Sequence, residues 1–307
     1  MKIQEALRRQ GLVNAVTPAD SDRRFPDGAE FRIEIPSVEG PTVLAAVVEQ
    51  ADRYDLTVNR ISQGSGGMLL EEGELREMAA IGAETGLEVC LFTGPKAGYD
   101  IGAFSRSEDG RSQFAQIRGM RQLRYAAADI ARATEAGIRS FLVGDLGLLA
   151  VLTRMQADGD LPGETVWKIS AYMGVSNPAS VRLLEEMGAG SVNIPADVTL
   201  EQLWEIRSAA SIPIDLYLET PDSMGPVVRG HEIADFVAVG APLHAKMGLA
   251  NAGGVYPSGG QTVDTAIANA REKVRRAALA LEWLKRERPA SVQSKPHAAG
   301  LGIPVVP

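Results

Sequence analysis

Apolar positions along the chain fall into short runs separated by longer amphipathic stretches, the alternation of a β/α protein. Strands are predicted over about 30–36, 57–63, 88–93, 140–144, 165–172, 190–194, 212–219 and 235–239. Helices are predicted over about 41–55, 72–86, 114–136, 146–158 and 177–187, then from 197, near 226–233 and over 262–287. Pro41 suits a first helical turn, and Gly86, Gly137 and Gly188 stand where helix C-caps belong. The loop from Gly94 to about Gln113 is long for a compact domain, which marks it as a functional candidate.

Eight such units predict the α/β class and a (β/α)8 TIM barrel over 29–287, after a lead-in at 1–28 and before a mobile or wrapping tail at 288–307. A doubly wound sheet competes with this reading, but no Gly-x-Gly-x-x-Gly follows the first strand. Gly64-Ser65-Gly66-Gly67, after the second, lacks the dinucleotide spacing, so NAD is not expected.

Four predicted strands carry charge where buried parallel strands are normally apolar: Phe31–Ile35, Val58–Ile61, Val166–Ser170 and Ile214–Glu219. Alternation places Arg32 with Glu34 on one face, Lys168 with Ser170 and Tyr172 on another, and Asp215 with Tyr217 and Glu219 on a third. The opposite parity, including Ile33, Ile169, Leu216 and Leu218, is apolar and suits the strand–helix interface. In a barrel the polar faces converge on one interior. Two readings follow: an internal ion-pair network, or a polar pocket at the strand ends. They are compatible if Arg32 and Asp215 lie deep while Glu34, Tyr172 and Glu219 lie near the mouth.

The candidate catalytic residues are therefore Glu34 or Glu219 as base, Tyr172 or His244 as acid, and Lys168 as a Schiff-base nucleophile or a counter-ion. Arg32, Arg60, Gln63, Ser170, Asn193, Tyr217 and Lys246 are candidate substrate ligands, the cations matching a carboxylate. Glu34, Asp145 and Glu219, with Asp222 as a further oxygen donor, are candidate ligands for Mg²⁺ or Mn²⁺. His231 reads as a helix-surface residue and His297 as part of the tail.

Composition narrows the partners. The 307 residues are 45% hydrophobic and 23% charged, with a formal net charge of −8, which suits a globular protein and argues against a nucleic-acid partner. The lone cysteine, Cys90, lies in the apolar Glu88–Phe92 run and reads as a buried thiol; alone it excludes an intrachain disulfide and an all-cysteine cluster. No secretory leader or membrane span is visible, so a cytoplasmic protein acting on a small molecule is expected, with a final helix that packs on its own barrel or, in a homo-oligomer, against another subunit.

The stretch Ile169–Ala189, with Ser170, Tyr172, Asn177 and Glu185-Glu186-Met187-Gly188, followed by Ser191–Leu203, resembles the middle of the peptidase U32-like family. That resemblance implies a barrel. The family's following segment is rich in His, Gly and Cys and in some members holds an iron–sulfur cluster. Here the position reads Glu219-Thr220-Pro221-Asp222-Ser223-Met224-Gly225, so no cluster is implied. The expected function is general acid/base chemistry of the lyase or hydrolase type on a small carboxylate-bearing substrate. A Schiff-base aldolase or lyase using Lys168 and a non-catalytic barrel scaffold are the alternatives.

Overall fold

The strands pair in parallel and in chain order, and the last returns to the first to close a barrel. They are β1 (Phe31–Pro36), β2 (Arg60–Gln63), β3 (Glu88–Phe92), β4 (Ser140–Val143), β5 (Val166–Ile169), β6 (Ser191–Asn193), β7 (Ile214–Glu219) and β8 (Leu243–Met247). The computed structural model describes residues 3–12, 17–100 and 102–306. Residues 1, 2 and 13–16 of the predicted lead-in lie outside these.

Helix α1 (Ile3–Arg9) precedes the barrel; α2 (Pro41–Arg53) follows β1, α3 (Glu72–Thr85) follows β2, and α4 (Ala103–Arg106) and α5 (Gly119–Glu135) follow β3. Then come α6 (Leu146–Ala157), α7 (Pro178–Glu186), α8 (Leu200–Ala209), α9 (Ile233–Gly240) and α10 (Val263–Glu287), one after each remaining strand. Their starts are written locally. Asp145 caps α6 by accepting from Leu148 N, and Asn177 caps α7 ahead of Pro178. Thr199 and Gln202 form a reciprocal capping box at α8. Gly86 ends α3 at φ 68°, a left-handed conformation that glycine adopts without strain.

One predicted strand is a helix. Residues 235–239 belong to α9, and the eighth strand begins at Leu243, so His244 lies within it rather than after it. The segment Ile233–Val239 is apolar on nearly every side and buried, and such a run cannot be told from a buried strand by periodicity. The predicted 165–172 strand is also shorter: it ends at Ile169, and Tyr172 sits in a single 3-10 turn over Ala171–Met173.

Outward-facing Ile33, Ile61, Val89, Phe141, Ile169, Val192, Leu216 and Ala245 are buried in the apolar layer between barrel and helices. The inward set is polar: Arg32, Glu34, Arg60, Glu88, Ser140, Lys168, Ser191, Asp215 and His244 are all at most 1% exposed. Most barrels fill that space with branched aliphatic layers. No helix among the described residues is long and apolar enough to cross a membrane.

The tail wraps beneath the barrel. Arg32 Nε donates to Ser294 Oγ at 2.9 Å and its Nη2 to Ala299 O at 2.7 Å, while Asn59 Nδ2 donates to Ser294 O. Gly302 N donates to Glu88 Oε2, and Val305 N to Gly137 O. Ser294→Ala is expected to lower unfolding stability by about 1–2 kcal/mol, because it strands a buried charged donor. Deleting 288–307 should lower it further. Urea titration measures both, and an unchanged midpoint for Ser294→Ala would remove this contact from the account.

Candidate functional site

Parity brings the inward residues together, and depth along the barrel sorts them. In the middle layer Glu34 accepts from Lys168 Nζ, from Lys246 Nζ at 3.0 Å and from Ser62 Oγ at 2.6 Å. Arg60 joins three strands, lying 2.8 Å from Asp215, 2.7 Å from Glu88 and 3.4 Å from Glu34. Asp215 also accepts from Ser191 Oγ at 2.7 Å, lies 3.8 Å from Lys168, and has His244 Nδ1 at 2.9 Å.

Isolated burial would push every carboxyl here up and neutralise it. Burial is the largest influence on Glu34, yet Lys168, Lys246 and Arg60 together reverse it and hold the carboxyl far below its usual range. Asp215 is likewise raised by burial and carried well below normal by Lys168, Arg60 and His244. Arg60 is held up by Glu88, Asp215 and Glu34 against its own desolvation. Burial draws Lys168 down, with Asp215 and Glu34 opposing it. Glu34, Asp215 and Arg60 are thus held in their ionised forms by the opposite charges around them.

Above it, at the C-terminal ends of the strands, opens a cavity of about 300 Å³. Its floor is Ser62, Gln63, Ser170, Asn193, Tyr217 and Lys246, and its walls include Phe92, Tyr99, Phe114, Tyr172 and Tyr256. Lys246 is the only charged residue among the described residues lining it. Its ammonium bridges Glu34 and Asn193 Oδ1, at 3.2 Å, and stands 4.4 Å from the Tyr217 ring centroid. Tyr172 stacks along Phe92 and tilts against Phe114. Burial raises the phenols of Tyr172 and Tyr217, so both remain donors at neutral pH.

Of the predicted ligands, Gln63, Ser170, Asn193, Tyr217 and Lys246 line this cavity, as does Tyr172. Gln63 also fixes the following loop by bonding both ways with Gly66. Arg32 and Arg60 do not reach it. Arg32 lies one inward position below Glu34, against the Phe25 ring at 3.9 Å and the tail, and burial lowers its guanidinium to about 10. Lys168 and Glu34 lie under the floor, and His244 deeper still, in edge contact with Phe25.

Glu219 leaves the interior altogether. Between β7 and β8 the register slips, so that Tyr217 pairs Lys246 but Glu219 pairs Met247. The extra residue is a β-bulge, which turns the next side chain to the other face. Glu219 accepts from Ala250 N at 3.0 Å and lies 3.9 Å from Arg276 on α10. The expected oxygen set for Mg²⁺ or Mn²⁺ is therefore not assembled: Glu34 is held by lysines, Asp145 caps α6, and Glu219 faces away. Asp222 accepts from Asn251 N. No cluster of three possible metal-binding His, Cys, Asp or Glu residues occurs among the described residues.

Several residues were not anticipated. Tyr256 reaches over Gly64, where a Cβ would collide with its hydroxyl, and donates to Ser37 Oγ at 2.6 Å. Lys96 is 1% exposed, donates to Gly64 O and Ser65 O, and packs 3.6 Å from the Phe92 centroid. Burial lowers its ammonium to about 7, with Glu39 opposing the shift. Tyr99 and Lys96 both lie within the long loop that the sequence marks, but nothing in the local pattern singles out Lys96.

His244 gives the ionic layer a pH signature. Burial, then Arg60, lower its imidazole from 6.5 to about 4, with Asp215 partly compensating. The unfolded chain takes up this proton first as pH falls, so folding stability decreases with acidification through that window. The loss from His244 is expected to reach about 3 kcal/mol by pH 4, and the depressed carboxylates begin to add theirs within the same window, as pH falls through their ordinary value of 4.5. Urea unfolding across the window should show the slope in the wild type and a flatter one in His244→Gln; equal slopes would rule out this assignment.

The family description Peptidase family U32 matches residues 116–220. No curated protein compared with the chain matches it. Among solved structures, the U32 peptidase Mk0906 is 15% identical, covering 67% of this chain and 72% of its own, at a TM-score of 0.37. Oxaloacetate acetylhydrolase is 13% identical, with 85% and 84% covered and a TM-score of 0.45. The carboxyl transferase domain of Rhizobium etli pyruvate carboxylase with 3-hydroxypyruvate is 11% identical, with 93% and 55% covered and a TM-score of 0.45. The barrel itself rests on the strand pairing of this chain, and residues 116–220 of it are U32-like in sequence.

Proposed function

We propose that the chain is a barrel enzyme that binds a small carboxylate-bearing molecule in the mouth cavity and acts on it by general acid/base chemistry of the lyase type. The observation that carries this reading is Lys246, the charged residue of a cavity whose other walls are aromatic or neutral. With Lys246 included, the inward cations Arg32, Arg60, Lys168 and Lys246 exceed the anions Glu34, Glu88 and Asp215 by one, four against three. A substrate carboxylate would balance that excess in a site where water is largely replaced by rings.

In this reading Lys246 receives the anion or the negative charge that develops on the adjacent oxygen, and Glu34 holds its ammonium in place. Tyr217 and Tyr172 donate protons or hydrogen bonds from either side. Ser62, which lines the cavity while donating to Glu34, links the pocket to the carboxylate below. Lyase chemistry is preferred to hydrolysis because no carboxylate lines the main cavity, among the described residues, to activate water. Lys168 is assigned as a counter-ion: its ammonium is wholly buried against Glu34 and Asp215 and does not line the cavity.

Isothermal titration with benzoate and neutral benzamide tests the anion pocket. Benzoate should bind more tightly, and Lys246→Met should weaken it about tenfold, or 1.4 kcal/mol, without changing the benzamide result. Equal benzoate affinity in wild type and variant would defeat the proposal. For Lys168, borohydride reduction in the presence of pyruvate should leave its peptide mass unchanged. Lys168→Met should destabilise the fold by about 3 kcal/mol, since it strands part of a buried ionic layer; a pyruvate adduct on Lys168 would overturn the counter-ion role.

A further inference from the structure

A second cavity, of about 210 Å³, adjoins the first at the barrel mouth. The two share Ser37, Pro221, Ser223 and Tyr256, and the Tyr256–Ser37 hydrogen bond lies on the wall between them. It is framed by the loops after β7 and β8 and by α10, the region where barrels often hold anionic groups.

The feature that gives it chemistry is Lys273. On α10 the buried positions Ala266, Ala270, Lys273, Ala277, Ala280 and Leu284 form one stripe at helical spacing, and Lys273 is its only charged member. It is 4% exposed and lines the second cavity. Its Nζ donates to Pro36 O at 2.8 Å, leaving further donor capacity, and it forms no ion pair among the described residues. Burial lowers it to about 8, Glu39 opposes that shift, and Lys246 adds to it, so the two lysines feel each other's charge. Glu39 is itself engaged with Gly64 N, Ser65 N and Ser258 Oγ. Asp222 also lines the cavity, but it is exposed and its charge is screened by water, whereas that of Lys273 is not.

Resting on the carboxylate reading of the first cavity, we infer that the second is a subsite for another anionic group of the same substrate, with Lys273 as its cation. The substrate class would be a molecule with two oxyanions, one on Lys246 and one on Lys273, whose chain passes Tyr256. A doubly charged ligand would offset the repulsion between two buried ammonium groups. The second oxyanion is a carboxylate or a phosphate.

Isothermal titration with the dicarboxylates from succinate to suberate, monocarboxylates of equal chain length, and 3-phosphonopropionate tests this. At least one doubly charged probe should bind wild type about tenfold more tightly than its monocarboxylate partner. The tighter class names the oxyanion. Lys273→Met should abolish that advantage and leave the monocarboxylate unchanged, while Lys246→Met should weaken both. Gly254→Trp gives an independent check: the position lines the second cavity, a Cβ there meets nothing within 4 Å, and an indole at that rim narrows the cavity without touching the ionic layer. It too should erase the advantage selectively. The subsite is refuted if no doubly charged probe outbinds its partner, or if both variants keep the advantage. In those cases a monocarboxylate that still depends on Lys246 leaves the first reading standing, and one that does not removes it as well.

Discussion

The ionic layer formed by Glu34, Arg60, Lys168 and Asp215 is the constraint on which the rest of the molecule depends. Each of these groups is at most 1% exposed, and any one of them alone would be costly to keep charged there. They are tolerable only as a set, because each carboxylate meets at least two cations and Arg60 meets three carboxylates. That mutual dependence fixes the registers of β1, β2, β5, β7 and β8 relative to one another. A one-residue slip in any of them would turn its charge toward the apolar helices and leave its partners stranded. An aliphatic barrel tolerates rearranged side chains far more readily. This one exchanges such tolerance for a single arrangement of strands, and the mouth cavity inherits that order.

Much of this was legible because parity is a strict property of strands. The alternation in Phe31–Ile35 and Ile214–Leu218 correctly separates inward charge from outward aliphatics, and the eight-unit β/α rhythm implies closure. Depth was not legible. Parity says that Arg32 and Glu34 share a face, but not that the first lies against the tail and the second beneath the cavity floor. Tyr172 and Glu219 were both assigned to the mouth from the same parity. Tyr172 is there because a turn carries it over the rim, while a bulge removes Glu219. Bulges leave no local sequence mark here. The apolar run at 233–239 reads as a strand for a different reason, since a helix with Asp235 as its one exposed position has too little polar face to show its period.

Lys273 and Lys96 differ in how far the sequence marks them. Lys273 interrupts an otherwise small and apolar stripe at the correct spacing, so the helix pattern itself asks why a lysine is buried there. Lys96 directly follows Gly94-Pro95 in the long loop, a place where surface lysines are common. Only the packing of Phe92, Tyr99 and Phe114 around its ammonium separates it from them.

The tail explains how the ionic layer comes to matter at the mouth. With Ser294, Ala299 and Gly302 occupying the donors and acceptors at the base of the barrel, solvent is kept from Arg32 and Glu88. Charge that cannot be screened from below acts through the barrel over a longer range than it would in water. The interior holds one more cation than anions, and the cavity-facing member of the set is Lys246. In the proposed reading a ligand carboxylate at Lys246 balances that surplus, at the end where the aromatic walls leave room. A chain with a net charge of −8 thus places a lysine, and no carboxylate among the described residues, on its mouth cavity. Overall acidity governs solubility and long-range encounter, whereas the local balance of buried groups decides what the cavity accepts.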